Sequence, residues 1–161
     1  MQSNAAKVLA ALEQRGWKLA IAESLTGGLL AAEFVAVPGA SKVLLGSVTA
    51  YQNSIKQNML DVPAGDLEKF GAASAEVAEA MALGVQRKFA TKSEPVVGIS
   101  TTGVAGPDAD GENPVGLVYV GLALPGLPVQ SFELKLDGSR AEIRTVAVQS
   151  AVSELLEQIG N

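Results

Sequence analysis

Segments with the apolar spacing of helices alternate along this chain with short apolar runs of strand length. Glycine or proline punctuates most of the junctions. That alternation constrains the fold more than any other feature, because strands joined through helices run parallel and need helices to cover the sheet. Residues 4–15 read as a helix stopped at Gly16. Residues 17–23 (WKLAIAE) read as a buried strand, and 26–37 as a helix ended by Pro38-Gly39. Residues 43–51 (VLLGSVTAY) form a second strand, 53–60 a short helix and 63–70 a short turn. Ser74 is the expected N-cap of a longer helix reaching residue 90. A third strand over 95–101 (PVVGIST) opens into the loop TGVAGPDADGENP. Residues 115–123 and 129–136 are the fourth and fifth strands. The PGLP link between them is too short for a crossover helix, so they form an antiparallel hairpin. The last helix, 139–159, opens on a capping box of Ser139 and Glu142. It carries an apolar stripe at Ile143, Ala147, Ala151, Leu155 and Ile159. The expected architecture is a three-layer α/β/α sandwich around a mixed sheet of about five strands.

At 161 residues, 48% of them apolar and 18% charged, the chain has the size and composition for one sizeable core. No internal repeat or linker divides it, so a single domain over 1–161 is expected. Two absences bear on chemistry: there is no cysteine and no histidine. Disulfides, thiol nucleophiles, Cys/His zinc sites and a Ser-His-Asp triad are excluded. A metal would rest on carboxylates alone, which suit magnesium or calcium better than zinc. Acid–base work near neutral pH falls to Lys, Asp, Glu or Tyr with a shifted pKa. The net charge of −5 argues against a nucleic-acid surface. No apolar run approaches the roughly 18 residues of a membrane span. The amphipathic N-terminal segment is not a signal peptide, so a cytoplasmic location is expected.

Four segments place small polar or charged groups at strand ends and helix starts. In AESLTGG (22–28) a strand gives way to a helix, and Ser24 reads either as a plain N-cap or as a nucleophile beside free amides. In TAYQNSIK (49–56), Tyr51 ends a strand and Lys56 lies early in a helix. Lys56 is either a solvated surface lysine or, if desolvated, the base of a Ser-Lys pair. STTGVAGPD (100–108) is either an anion-binding loop or a structural turn. In DGSRAEIR (137–144), Arg140 and Arg144 share one face at a helix start, where the dipole disfavours cations. An anionic ligand or a nearby acid would each account for them.

Taken in order, AESLTGG, Tyr-x-Asn-x-x-Lys at 51–56, GAxS at 71–74, TGVAGPDADGENPVG and GSRxxIR at 138–144 resemble the CinA C-terminal domain family. The resemblance spans nearly the whole chain. The family includes stand-alone nicotinamide-nucleotide amidohydrolases, and larger relatives carry an extra N-terminal domain. Since Met1 leads directly into the first helix, the single-domain form is expected. The resemblance implies hydrolysis of the carboxamide of nicotinamide mononucleotide to nicotinate mononucleotide and ammonia, in pyridine-nucleotide recycling. It implies neither metal nor organic cofactor. Ser24 matches the family's proposed nucleophile, Lys56 its base and Tyr51 a supporting tyrosine. Tyr51 is expected to hydrogen-bond to the lysine or the serine. Thr26 and Gly27, at the start of the helix after Ser24, are expected on the substrate side, with helix-start or loop amides holding the oxyanion. Thr102 and Gly103 match the loop facing the substrate. Arg140 matches an arginine suited to the substrate phosphate, with Arg144 second. Leu25 stands where many members have cysteine, and Ser139 where Asp or Asn is usual. Should Lys56 only position, the base falls to Tyr51 or a carboxylate such as Glu23 or Asp108. The competing class is a non-catalytic nucleotide- or phosphate-binding module, which would need neither Ser24 nor Lys56. A structural partner of DNA-uptake or repair machinery is a third class, against which the acidic charge argues. The expected partner is a small nucleotide, and a homo-oligomer is left open.

Overall fold

The structure, a computed structural model, describes residues 2–160; Met1 and Asn161, the two ends of the expected 1–161 domain, lie outside the described residues. Ser3 caps the first helix, α1 (Asn4–Arg15), by accepting from the Ala6 N–H, and Gly16 closes it in the left-handed conformation. The order then runs β1 (Lys18–Glu23), α2 (Leu29–Val35), a single 3-10 turn (Ala40–Lys42), β2 (Leu44–Thr49), α3 (Asn53–Leu60), α4 (Ala64–Phe70) and α5 (Ala75–Lys88). It ends with β3 (Val96–Gly103), β4 (Leu117–Ala123), β5 (Gln130–Lys135) and α6 (Arg140–Gly160).

The five strands form one mixed sheet in the order β2-β1-β3-β4-β5. β1 runs parallel to both β2 and β3, while β4 is antiparallel to β3 and β5. Strand alternation sorts the β1 side chains between two cores. Leu19 and Ile21 pack with Val8, Leu12, Phe34 and Leu155 beneath α1, α2 and α6. Ala20 and Ala22 face Val77, Met81 and Val85 of α5. α5 lies so close to the sheet that a Cβ at Gly98 would stand 2.1 Å from the Ala82 carbonyl oxygen. The fold is therefore an α/β/α sandwich with a five-stranded mixed sheet, as expected. Ser74 caps α5 through the Val77 N–H, and the α6 stripe from Ile143 to Ile159 is buried. Among the described residues no helix is long and apolar enough to cross a membrane.

Three local expectations are corrected. The segment expected as helix over 26–37 starts its helix only at Leu29. Gly27 and Gly28 take left-handed φ values of 59° and 101°, which a right-handed helix does not admit. Residues 63–70, expected as a turn, contain the helix α4. β3 continues past residue 101, because Thr102 and Gly103 find pairing partners in Tyr119 and Val118 of β4.

Candidate active site

The order β2-β1-β3 sends the chain from β1 one way through α2 and back the other way into β3. A crevice opens at the C-terminal ends of such strands, where the connections diverge. Ser24 sits at the end of β1, its N–H donating to the Thr101 carbonyl at 3.0 Å. The Gly27 N–H closes on the Ser24 carbonyl at 3.1 Å, so residues 24–27 form a tight turn. Ser24 does not cap α2, whose N-cap is Gly28. The fully buried Glu23 carboxylate instead takes the Leu30 N–H at 2.8 Å and the Ala31 N–H at 3.2 Å. The Ser24 hydroxyl is thereby released from helix capping.

That hydroxyl accepts a hydrogen bond from Lys56 Nζ at 3.0 Å. Lys56 projects from α3 and is 1% exposed. Its amine also donates to the Tyr51 backbone carbonyl at 3.0 Å. Among the described residues no carboxylate pairs with it. Burial without a compensating anion penalises the ammonium form and pushes the Lys56 pKa from its ordinary 10.5 down to about 8. An amine with that pKa supplies a neutral fraction at physiological pH, which an ordinary lysine does not. Desolvation is the condition that the sequence set for Lys56 to serve as a base.

The Tyr51 phenol goes elsewhere than the lysine or the serine. It accepts from Arg140 Nη2 at 2.9 Å. Tyr51 reaches the lysine only through its main chain, because its side chain lies more than half exposed at the cavity mouth. Arg140, at the first turn of α6, also donates through Nη1 to the Gly106 carbonyl at 2.6 Å. It thus bridges the segment after β2 and the glycine loop after β3. Two of its five N–H donors are engaged, and the guanidinium stays exposed.

A cavity of about 560 Å³ brings together Ser24, Tyr51, Lys56, Thr102, Gly103 and Arg140. The Thr102 hydroxyl donates to the Ala72 carbonyl at 2.7 Å and so ties the 71–74 segment to the sheet. At Gly103 a Cβ would stand 2.5 Å from the Leu117 carbonyl, so only glycine lets β4 approach there. Three expected binding residues lie off the cavity wall. Thr26 is fully buried, its hydroxyl 2.7 Å from that of Thr101. Gly27 serves the turn. Arg144 donates from Nε to the Leu25 carbonyl at 2.9 Å and from Nη2 to the Thr26 carbonyl at 3.2 Å. It braces the serine turn and does not face the cavity. Arg144, expected as the second anion-binding arginine, spends Nε and Nη2 on these carbonyls and is not among the residues lining the cavity.

Sequence reasoning assigned no role to Gln52, Ser54 or Asp110, nor to Asn53 beyond its place in the Tyr-x-Asn-x-x-Lys motif, and all four also line the cavity. Their signal was position, just after Tyr51 and within the glycine loop. Asp108, named only as a fallback base, lines it as well.

Comparison with known proteins supplies the family. Residues 1–159 match the CinA C-terminal domain. A CinA-like protein of Desulfotalea psychrophila is 46% identical over 147 residues, covering 90% of this chain and 34% of that protein. A putative competence-damage inducible protein of Limosilactobacillus reuteri is 40% identical over 154 residues, covering 94% of this chain and 36% of that protein. The chain thus spans about a third of the length of these curated relatives. The crystal structure of the competence/damage inducible protein CihA from Agrobacterium tumefaciens superposes with a TM-score of 0.88 at 32% identity, covering 98% of this chain and 94% of that one. The competence damage-inducible protein A of Klebsiella pneumoniae gives a TM-score of 0.91 at 28% identity, covering 98% and 96%. With a family match over nearly its full length and relatives of this identity, the chain belongs to the CinA C-terminal domain family.

Proposed function

We propose that this chain hydrolyses the carboxamide of nicotinamide mononucleotide to nicotinate mononucleotide and ammonia, through a covalent intermediate on Ser24 with Lys56 as the base. One observation carries the reading: a buried lysine amine, its pKa lowered to about 8, stands 3.0 Å from a serine hydroxyl on the wall of a cavity. In a chain without histidine or cysteine, a serine–lysine pair is one route to an activated nucleophile. The choice of mononucleotide comes from the family resemblance, and the exposed Arg140 at the cavity mouth suits its phosphate.

Neutral Lys56 takes the Ser24 proton as Oγ bonds to the carboxamide carbon, and the carbonyl electron pair moves onto oxygen. The Lys56 ammonium then protonates the amide nitrogen, the C–N bond breaks and ammonia leaves an acyl-serine. Water attacks that ester, giving one proton to Lys56; as the ester C–O bond breaks, Lys56 returns that proton to Ser24 Oγ, which releases the acid and restores the neutral amine. The developing oxyanion needs preorganised donors. The α2 amides of Leu30 and Ala31 are taken by Glu23. The Leu25 N–H, which meets no protein acceptor among the described residues and whose residue lines the cavity, is the donor nearest in sequence to Ser24.

The test is to incubate the purified protein with nicotinamide mononucleotide, with and without EDTA, and to measure ammonia. Release that is indifferent to EDTA and lost in Ser24→Ala is the expected result. Binding of the mononucleotide without ammonia release would instead identify a nucleotide-binding module.

A further inference from the structure

Arg144 lies on α6 one turn beyond Arg140 and reaches the back of the serine turn rather than the cavity. Its Nε and Nη2 hold two consecutive carbonyls, those of Leu25 at 2.9 Å and Thr26 at 3.2 Å. Among the described residues no carboxylate pairs with it. The half-buried guanidinium is therefore committed to main-chain oxygens of one turn. Gly27 completes the fit, since a Cβ there would stand 3.2 Å from Arg144 Nη2 and the position has a left-handed φ of 59°.

A trans peptide points its N–H opposite to its C=O. Drawing the Leu25 carbonyl toward α6 therefore aims the Thr26 N–H away from α6. The Gly27 N–H on the Ser24 carbonyl fixes the Leu25 N–H in the same way. The far end of the 24–28 segment is held by Glu23 on the Leu30 and Ala31 amides. The Thr26 carbonyl held by Arg144 shares its peptide with the Gly27 N–H, so Arg144 acts through Gly27 and the Ser24 carbonyl on the free Leu25 N–H, whose residue lines the cavity.

We infer that Arg144 is a positioning residue for the Ser24 turn: by holding the Leu25 and Thr26 carbonyls it keeps the Gly27 N–H on the Ser24 carbonyl, so that the Leu25 N–H meets the oxyanion and the Ser24 hydroxyl keeps its line of attack. This rests on the reading of Ser24 as the nucleophile. It assigns Arg144 a role in turnover without any contact with substrate.

The experiment compares wild type, Arg144→Ala and Arg144→Lys, each checked for folding by circular dichroism. Two rates are read: ammonia release from nicotinamide mononucleotide, and covalent labelling of Ser24 by a fluorophosphonate probe. Both variants are expected to lose about 100-fold in kcat, the order that a displacement of about 1 Å costs, with KM changed less than about threefold. Labelling of Ser24 should slow in parallel. Lysine should not substitute, because one ammonium does not reproduce the guanidinium fork. Added guanidinium ion should restore part of the Arg144→Ala rate, and methylammonium should not. A raised KM at unchanged kcat would overturn the inference, since Arg144 would then be binding substrate. Unchanged labelling, or a lost kcat that guanidinium leaves untouched in a folded variant, would overturn it too. If wild type releases no ammonia, the choice of substrate fails, and the labelling rates alone decide the role of Arg144.

Discussion

Replacing Lys56 by methionine turns its lowered pKa into a measurable stability. The lysine titrates near 8 in the folded protein against an ordinary 10.5. One pKa unit is about 1.4 kcal/mol, so that displacement corresponds to about 3 kcal/mol of unfavourable free energy for holding the buried ammonium. The sign follows from proton binding. Below pH 8 both folded and unfolded chains carry the proton, and the full penalty is present. Between pH 8 and 10.5 the unfolded chain binds more protons than the folded one, so stability rises with pH. Urea unfolding of wild type and Lys56→Met from pH 6.5 to 11 isolates this effect, because groups common to both proteins cancel. The wild type should gain about 3 kcal/mol on the variant across that window, with the rise beginning near pH 8. The lost hydrogen bonds to Ser24 and Tyr51 add an offset, but that offset does not create the rise. Under the proposed mechanism, kcat/KM should climb about tenfold per pH unit below 8 and flatten above it. A stability difference that is flat with pH would refute the buried, displaced lysine. So would an activity limb centred near 10.

Other outcomes follow from single contacts. Arg140→Ala should raise KM for the mononucleotide while leaving kcat for the dephosphorylated riboside nearly unchanged; an equal penalty on both would show that the arginine does not read phosphate. Tyr51→Phe should leave the pH midpoint of activity in place, since Lys56 meets the main chain of Tyr51; a midpoint moved by a full pH unit would contradict that geometry. Glu23→Ala should cost about 2–4 kcal/mol in denaturant unfolding, because two buried amides lose their acceptor. A loss under about 0.5 kcal/mol would mean that α2 is capped some other way.

Regular elements were legible in the sequence where pattern and chemistry coincide. The α6 stripe from Ile143 to Ile159 and the Ser139–Glu142 capping box read correctly, because both depend only on neighbours along one helix. The short PGLP link fixed the antiparallel hairpin for the same local reason. The serine turn did not read, because composition favours a helix from residue 26 while Gly27 and Gly28 take left-handed φ values. Sequence does not announce that choice. Within the site, the missing histidine and cysteine pointed to a serine–lysine pair and the family resemblance to Ser24 and Lys56, whereas the fates of Tyr51 and Arg144 depend on distant partners. The Tyr51 phenol meets Arg140, 89 positions away, and Arg144 meets Leu25, 119 positions away. No spacing rule reaches across such separations. Thr102 and Gly103 were expected in a loop because their pairing strand, β4, comes later in the chain.

The placement of β1 between β2 and β3 has a consequence for synthesis of the protein. As the chain emerges from the ribosome, the strand that leads into Ser24 acquires its β2 neighbour early. Its second edge stays open until residues 96–103 are made. Until then the Ser24 amide lacks the Thr101 carbonyl it later meets, and the serine turn lacks Arg144 until α6 is translated. A nascent chain paused before residue 140 therefore holds serine, lysine and β3 without the helix that frames them. The pocket is completed only once α6 has been made, so chains truncated before it lack the Arg140 and Arg144 contacts.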